Sequence, residues 1–289
     1  MMPASKKVLA CVDQSDYASH VADYATWVAE HLEAPLELLH VIDRHQEVAS
    51  GVDRSGSLEM DAQEHLLERF SAEEGEKNRA AREDGRLFLN GLKARCSQRT
   101  RLSVDTRQRY GQLLTTLKEQ ESSVAMYVLG RRGESASRSR RDLGRHVEAI
   151  CRQIRRPILT VTDDFRPPRS LLVAFDGGRM TRRGVELIAA RNSLNALPVH
   201  VIMSGRRGQD SARHLEWAEN TLKTQGFSVD VSFIPGDPEQ VVTRAIEERE
   251  ADMLIMGAYS HSPWRSLLMG SRTNDLLRAS QVPTITLHD

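Results

Sequence analysis

KKVLACVDQS (residues 6–15) and RSLLVAFDGG (169–178) are two versions of one phrase, a short apolar run that ends on an aspartate, Asp13 or Asp176. Each run is apolar at consecutive positions, as expected of a strand covered on both faces. The later strings repeat as well. LELLHVID (36–43) is echoed by PVHVIMS (198–204), VAMYVLGRRG (124–133) by DMLIMGAYS (252–260), and RPILTVT (156–162) by VPTITLH (282–288). The step from Gly144 to Pro157 equals the step from Gly270 to Pro283, 13 residues in both. Order and spacing kept together mark an internal duplication.

Helical patterns separate the runs. Val21, Ala25, Val28, Ala29 and Leu32 fall at helical spacing, as do Val185, Leu187, Ile188 and Ala189. Asp237-Pro238 ahead of 239–250 reads as a capped helix start with proline in the first turn. Strands alternating with such helices specify βαβ units and a parallel sheet. The expectation is therefore α/β: two tandem doubly wound domains, each with a five-stranded parallel sheet. Their bounds are 1–163 and 169–289, joined by the proline-bearing linker Asp163–Pro168. The copies differ in one place. Asp13 to Gly130 spans 117 residues and Asp176 to Gly257 only 81, and the surplus falls in an insertion at 44–100. Its first part is polar and loop-like, and from Leu58 to about Leu92 it turns helical. A lid, a partner surface or a tolerated solvated helix each fits that pattern.

Composition narrows the function. The chain has 289 residues, 40 basic and 40 acidic, with no formal net charge. That argues against a nucleic-acid or anionic-membrane binder. No apolar run reaches the roughly 18 residues of a membrane span, and residues 1–12 do not read as a secretory signal. Three scattered cysteines, Cys11, Cys96 and Cys151, show no metal or redox spacing and suit a reducing cytoplasm. The ten histidines form no HExxH motif, so no metal is expected. His40 and His200 both precede a valine and read as matching core positions of the repeat. The arginines from Arg131 to Arg145 form a basic stretch with no interleaved aromatic, which fits a solvated loop better than a nucleic-acid platform. Walker A, GxSxG, SGGxDS and HxGH strings are absent, and no catalytic residue is assigned.

In an open parallel sheet, ligands bind beyond the carboxyl ends of the strands, where strand order reverses. In the second half those positions are Asp176, Gly257 and the segment GAYSHSPWRSLLMGSRTNDLL (257–277). Its small residues Gly257, Ser260, Gly270 and Ser271 let backbone approach a phosphate ahead of a helix start.

These strings resemble the universal stress protein family, twice over. LACVD, LVAFD, LLHVID, PGDPEQVVTRAIEE and MGAYSHSPWRSLLMGSRTNDLLRASQVPTITLHD carry the resemblance. It implies an adenine nucleotide alpha hydrolase-like fold and a cytoplasmic, ATP-binding regulator of the stress response rather than an enzyme. The family motif is glycine, two residues, glycine, nine residues, glycine, then serine or threonine. The second half gives Gly257, Ser260, Gly270 and Ser271 at that spacing, with serine for the second glycine. The ATP site implied there is Ala174, Phe175, Asp176, Val201, Met256, Gly257, Ser260, Gly270, Ser271 and Arg272; slow ATP hydrolysis would require Mg²⁺ held by the phosphates and Ser271. The first half gives a degenerate version at Asp13, Val41, Gly130, Gly133 and Gly144, with one extra residue in the loop and Arg145 after the glycine. A nucleotide-free interaction scaffold and a weak ATPase are the alternatives. The resemblance also implies that 158–162 and 284–288 pair within one chain as a pseudo-dimer, with further homodimerisation and protein partners left open.

Overall fold

The structure, a computed structural model, describes residues 6–42, 60–131, 145–162, 164–257, 277 and 280–288, with backbone alone for 60–78 and Arg145. In the first half the order is β1 (Lys7–Cys11), α1 (Ala18–Leu32), β2 (Leu36–Ile42), α2 (Met60–Ser97), β3 (Val104–Tyr110), α3 (Leu113–Gln120), β4 (Val124–Gly130), α4 (Arg145–Gln153) and β5 (Ile158–Val161). The second half runs β6 (Leu171–Ala174), α5 (Arg179–Ala189), β7 (Val199–Gly205), α6 (Ser211–Lys223), β8 (Val229–Pro235), α7 (Pro238–Glu248), β9 (Met253–Gly257) and β10 (Thr284–Leu287).

All of these strands belong to one ten-stranded sheet, ordered β3-β2-β1-β4-β5-β10-β9-β6-β7-β8. Every pairing is parallel except that of β5 with β10. There Thr160 faces Thr284, Leu159 faces Ile285 and Ile158 faces Thr286. Leu159 and Ile285 occupy equivalent places in the two halves, so a pseudo-two-fold axis passes between them. The expected pair of five-stranded sheets is present, fused edge to edge through this seam. The fusion gives β5 and β10, which would otherwise be open edges, full sets of neighbours.

Each face of the sheet carries its own apolar layer. On one face α1, α2, α5 and α6 bury Val21, Ala25, Leu89, Leu92, Val185, Ile188, Leu215 and Leu222 against Val8, Leu36, Val173 and Val201. On the other α3, α4 and α7 bury Leu117, Ile150, Ile154, Val242 and Ile246 against Leu9, Leu39, Leu172 and Leu254. Both layers cross the seam, which is why the strands are apolar on successive residues. The start of α7 has the capping read from sequence: Asp237 accepts from the Glu239 N–H at 3.1 Å and Pro238 occupies the first turn.

The insertion is largely α2, which has 38 residues where α6 has 13. Its carboxyl-terminal half packs on the sheet through Leu89, Leu92 and Cys96. The Arg82 guanidinium lies 5.5 Å above the ring of Tyr110, the last residue of β3. The turns before Arg82 therefore pass the carboxyl edge of the sheet, by roughly 30 Å at 1.5 Å per residue. The polar segment ahead of the helix, 43–59, lies outside the described residues.

The register corrects one sequence match. Leu36 pairs with Val8 as Val199 pairs with Leu171, so the counterpart of His200 is Glu37 and that of His40 is Met203. Aligning the two HVI strings therefore misplaces strand two by three residues.

Candidate functional site

Strand order reverses between β1 and β4 in the first half and between β6 and β9 in the second. The crevices at the carboxyl ends of those pairs are where an open α/β sheet takes a ligand. The seam is antiparallel, so the two crevices lie on opposite edges of the sheet.

In the second half the chain leaves β6 through Phe175-Asp176-Gly177-Gly178 and enters α5. Asp176 is not the helix N-cap; Gly178 is. The Asp176 carboxylate closes the turn from outside. Its Oδ1 accepts from the Gly178 N–H at 2.8 Å and from the Thr181 hydroxyl at 2.6 Å. Such an Asx turn fixes the carboxylate relative to the backbone. Gly177 has φ of +75°, where glycine is the ready choice. A side chain there would also collide with the imidazole of His214.

Gly257 ends β9 beside this turn. A Cβ on it would sit 3.4 Å from the methyl of Thr181 and 3.8 Å from Met180, so β9 meets the first turn of α5 closely. Asp176, Thr181 and Gly257 are thus brought together at the crevice. The remaining proposed site residues have other surroundings. Phe175 is buried and stacks on Trp217 with ring centres 6.2 Å apart and 11° between planes. Val201 is wholly enclosed in the layer formed with α5 and α6, and Met256 in the layer on the opposite face, with half-buried Ala174 packed against it. Ser260, Gly270, Ser271 and Arg272 lie outside the described residues.

Sequence reasoning missed Thr181, Arg182, His214 and Trp217. Arg182 Nε donates to the Gly177 carbonyl at 2.9 Å, and its guanidinium lies 4.4 Å over Trp217. The signal for Thr181 was a hydroxyl in the first helical turn, five residues past the aspartate. The others converge from separate elements and leave no local signature.

The first half is built differently. Asp13 accepts from the Ser15 N–H at 3.3 Å and from the Ser15 hydroxyl, with Gln14 and Ser15 in place of the two glycines. Gly130 ends β4, and Gly133 and Gly144 lie outside the described residues. Val41 packs against the layer that holds α3, and the register makes Leu38, not Val41, the counterpart of Val201. His40 is buried, and its Nδ1 donates to the Val12 carbonyl at 3.0 Å. Arg131 departs from the solvated-loop reading: it is buried, and its guanidinium donates to the Ser280 carbonyl of the other half. Arg132 to Gly144 lie outside the described residues.

Among the described residues no group of three or more His, Cys, Asp or Glu could hold a metal ion, and no helix is long and apolar enough to cross a membrane. All three cysteines are free. Burial pushes the Cys151 thiol up to about 12 and raises Cys11 and Cys96 as well, which leaves them poor nucleophiles at neutral pH.

Comparison with known proteins agrees with this architecture. The chain is 32% identical over 284 residues to the universal stress protein Slr1230 of Synechocystis, covering 97% of this chain and 99% of that one. A crystal structure of a universal stress protein from Archaeoglobus fulgidus superposes with a TM-score of 0.71, at 18% identity, over 98% of this chain and 96% of its own. The structure of a functionally unknown protein, PA1789 from Pseudomonas aeruginosa, gives 0.62 at 17% identity, over 99% and 93%. Those two likenesses establish the fold. The model of the universal stress protein family matches twice, over residues 4–162 and 168–288. A duplicated strand phrase, two crevices at reversals of strand order and a family match across each half place the chain in the universal stress protein family, as a tandem member.

Proposed function

We propose that this protein is a non-enzymatic ATP-binding regulator of the stress response, acting in the cytoplasm, with its nucleotide site mainly in the second half. The observation that carries this reading is the Asp176 turn. It presents a fixed carboxylate at the reversal of strand order, beside the glycine that opens the motif Gly257, Ser260, Gly270, Ser271. An ionised carboxylate only accepts hydrogen bonds, which suits it to the hydroxyls of a sugar. Gly257 leaves the strand end without a side chain, so the segment after it can approach phosphates through backbone N–H groups. When bound, ATP would supply the charge that this segment holds, with Ser271 and Arg272 as added donors and any Mg²⁺ riding on the phosphates.

The first half supports the asymmetry. Its loop is one residue longer, it has arginine where the motif asks for serine or threonine, and its aspartate turn lacks both glycines.

The test is nucleotide content. The protein is purified without added nucleotide, denatured, and its released adenine nucleotides are quantified beside a Gly270→Glu variant. About one ATP per chain, lost in the variant, is the expected result. Two per chain would overturn the asymmetry. None, with no binding on adding ATP back, would leave the nucleotide-free scaffold. Phosphate release above background, abolished in the same variant, would make the protein a weak ATPase.

A further inference from the structure

Phe175 and Gly177 flank Asp176 in the chain, and they are held by two side chains that touch each other, Trp217 and Arg182. Trp217, half-buried on α6, stacks on Phe175 with 11° between ring planes. Its indole also lies 4.4 Å beneath the Arg182 guanidinium, and Arg182 Nε binds the Gly177 carbonyl at 2.9 Å. The turn is thus bracketed on both sides of the carboxylate. Cation–π contact and a charge-assisted hydrogen bond act here on the same guanidinium, and each orients it for the other.

Among the described residues the first half lacks this tryptophan–arginine pair; there the Val12 carbonyl, ahead of Asp13, accepts from His40, whose ring meets Phe88 of α2 edge-on at 5.6 Å. The core residues Leu89, Leu92 and Cys96 of α2 share the spacing of Leu215, Ala218 and Leu222 of α6. That match sets Gly91 at the place of Trp217, and the space around Gly91 is open. Counting from the aspartate, Ser19 stands at the place of Arg182 and Val12 at that of Phe175. The bracket therefore belongs to the half whose motif is nearly complete.

We propose that Arg182 and Trp217 are positioning residues for the second-half site. They hold the Asp176 turn in its ligand-binding shape before the ligand arrives, so that binding does not have to order it. This role rests on the nucleotide reading. Neither residue needs to touch ATP; both act through Gly177 and Phe175 on the carboxylate. Preorganisation of this kind shows as affinity rather than as fold stability.

The experiment measures ATP binding by titration calorimetry on the full chain and on Trp217→Leu, Trp217→Phe and Arg182→Met, with thermal unfolding of each. Trp217→Leu and Arg182→Met are expected to weaken binding about tenfold, the scale of one lost charge-assisted contact. Trp217→Phe keeps an aromatic face and is expected to stay within about threefold. If Trp217→Leu and Arg182→Met bind as tightly as the unaltered chain, the positioning role is overturned and the nucleotide reading stands. If Trp217→Phe loses as much as Trp217→Leu while the melting temperature falls in parallel, Trp217 is packing alone and the role is again overturned. If the unaltered chain binds no ATP, both readings fall together. A second readout serves should a variant fail to fold. In a Trp27→Phe, Trp264→Phe background, Trp217 emission is expected to be the same before ATP and at saturation, because its stack on Phe175 is already formed. A change in emission that saturates with the calorimetric affinity would mean that ATP orders the turn and would overturn the proposal.

Discussion

His288 lies at the end of β10, its Nε2 3.3 Å from the Thr286 hydroxyl. Burial lowers its imidazole from 6.5 to about 4, against a weaker upward pull from Glu121. The folded chain therefore holds this histidine neutral where the unfolded chain would protonate it. The contribution to stability is full above pH 6.5 and is lost as pH falls from there toward 4. Urea unfolding at pH 7.5 and pH 4.5 is expected to differ by about 2 kcal/mol more in the unaltered chain than in His288→Asn. An identical pH response in the two proteins would mean that the imidazole is solvated. Residues of this kind are hard to read in advance. Asp13 and Asp176 were legible because each ends an apolar run, which is a local pattern. Thr181, Arg182 and Trp217 gain their meaning from contacts made only after two helices have packed on the sheet.

Among the elements, the long helix α2 is secured by an ion cluster. Asp23 of α1 has a side chain only 3% exposed, and Arg95 grips both its oxygens at 2.8 and 2.6 Å, with Arg99 at 3.5 Å from Oδ1. Arg99 also lies 5.0 Å over Phe165 of the linker, whose N–H donates to His20 of α1 at 3.2 Å. One buried carboxylate thus joins α1 to α2, and Arg99 carries the tie on to the linker between the halves. Asp23→Leu should remove the buried charge together with its partners' anchor, while Arg95→Met leaves the carboxylate buried with weaker pairing. Arg95→Met is expected to cost about 3 kcal/mol and Asp23→Leu less. Chemical denaturation gives both values; equal costs would show that desolvation of Asp23 is not the governing quantity. The helix was readable from its pattern between Leu58 and Leu92, because helical periodicity is local. The alignment of strand two was not. HVI occurs in both halves, and only hydrogen-bond register reveals that the strings are offset by three residues.

For the whole molecule, the seam between β5 and β10 is the organising contact. The doubly wound parallel character of each half was legible from the alternation of strands and helices, and the pairing of 158–162 with 284–288 came from family resemblance, because no local residue pattern states which edges meet. Ile285 is central in that seam, facing Leu159 on one side and Ile255 on the other. Proline there removes a ladder N–H and forces its ring into a middle strand, a change costing about 3 kcal/mol or more. Ile285→Pro is expected to lower the melting temperature by several degrees and to expose sites in both halves to protease. Unchanged unfolding would mean that each half is stable without the other.

The same seam has a genetic meaning. Two separate copies meeting along such an edge would be products of one gene, and every substitution would appear in both of their crevices at once. With the edges joined inside one chain, a change in one crevice leaves the other untouched. Selection can then act on each half separately: Gly91 can stand open in one while Trp217 braces the other, and neither change imposes itself on its neighbour.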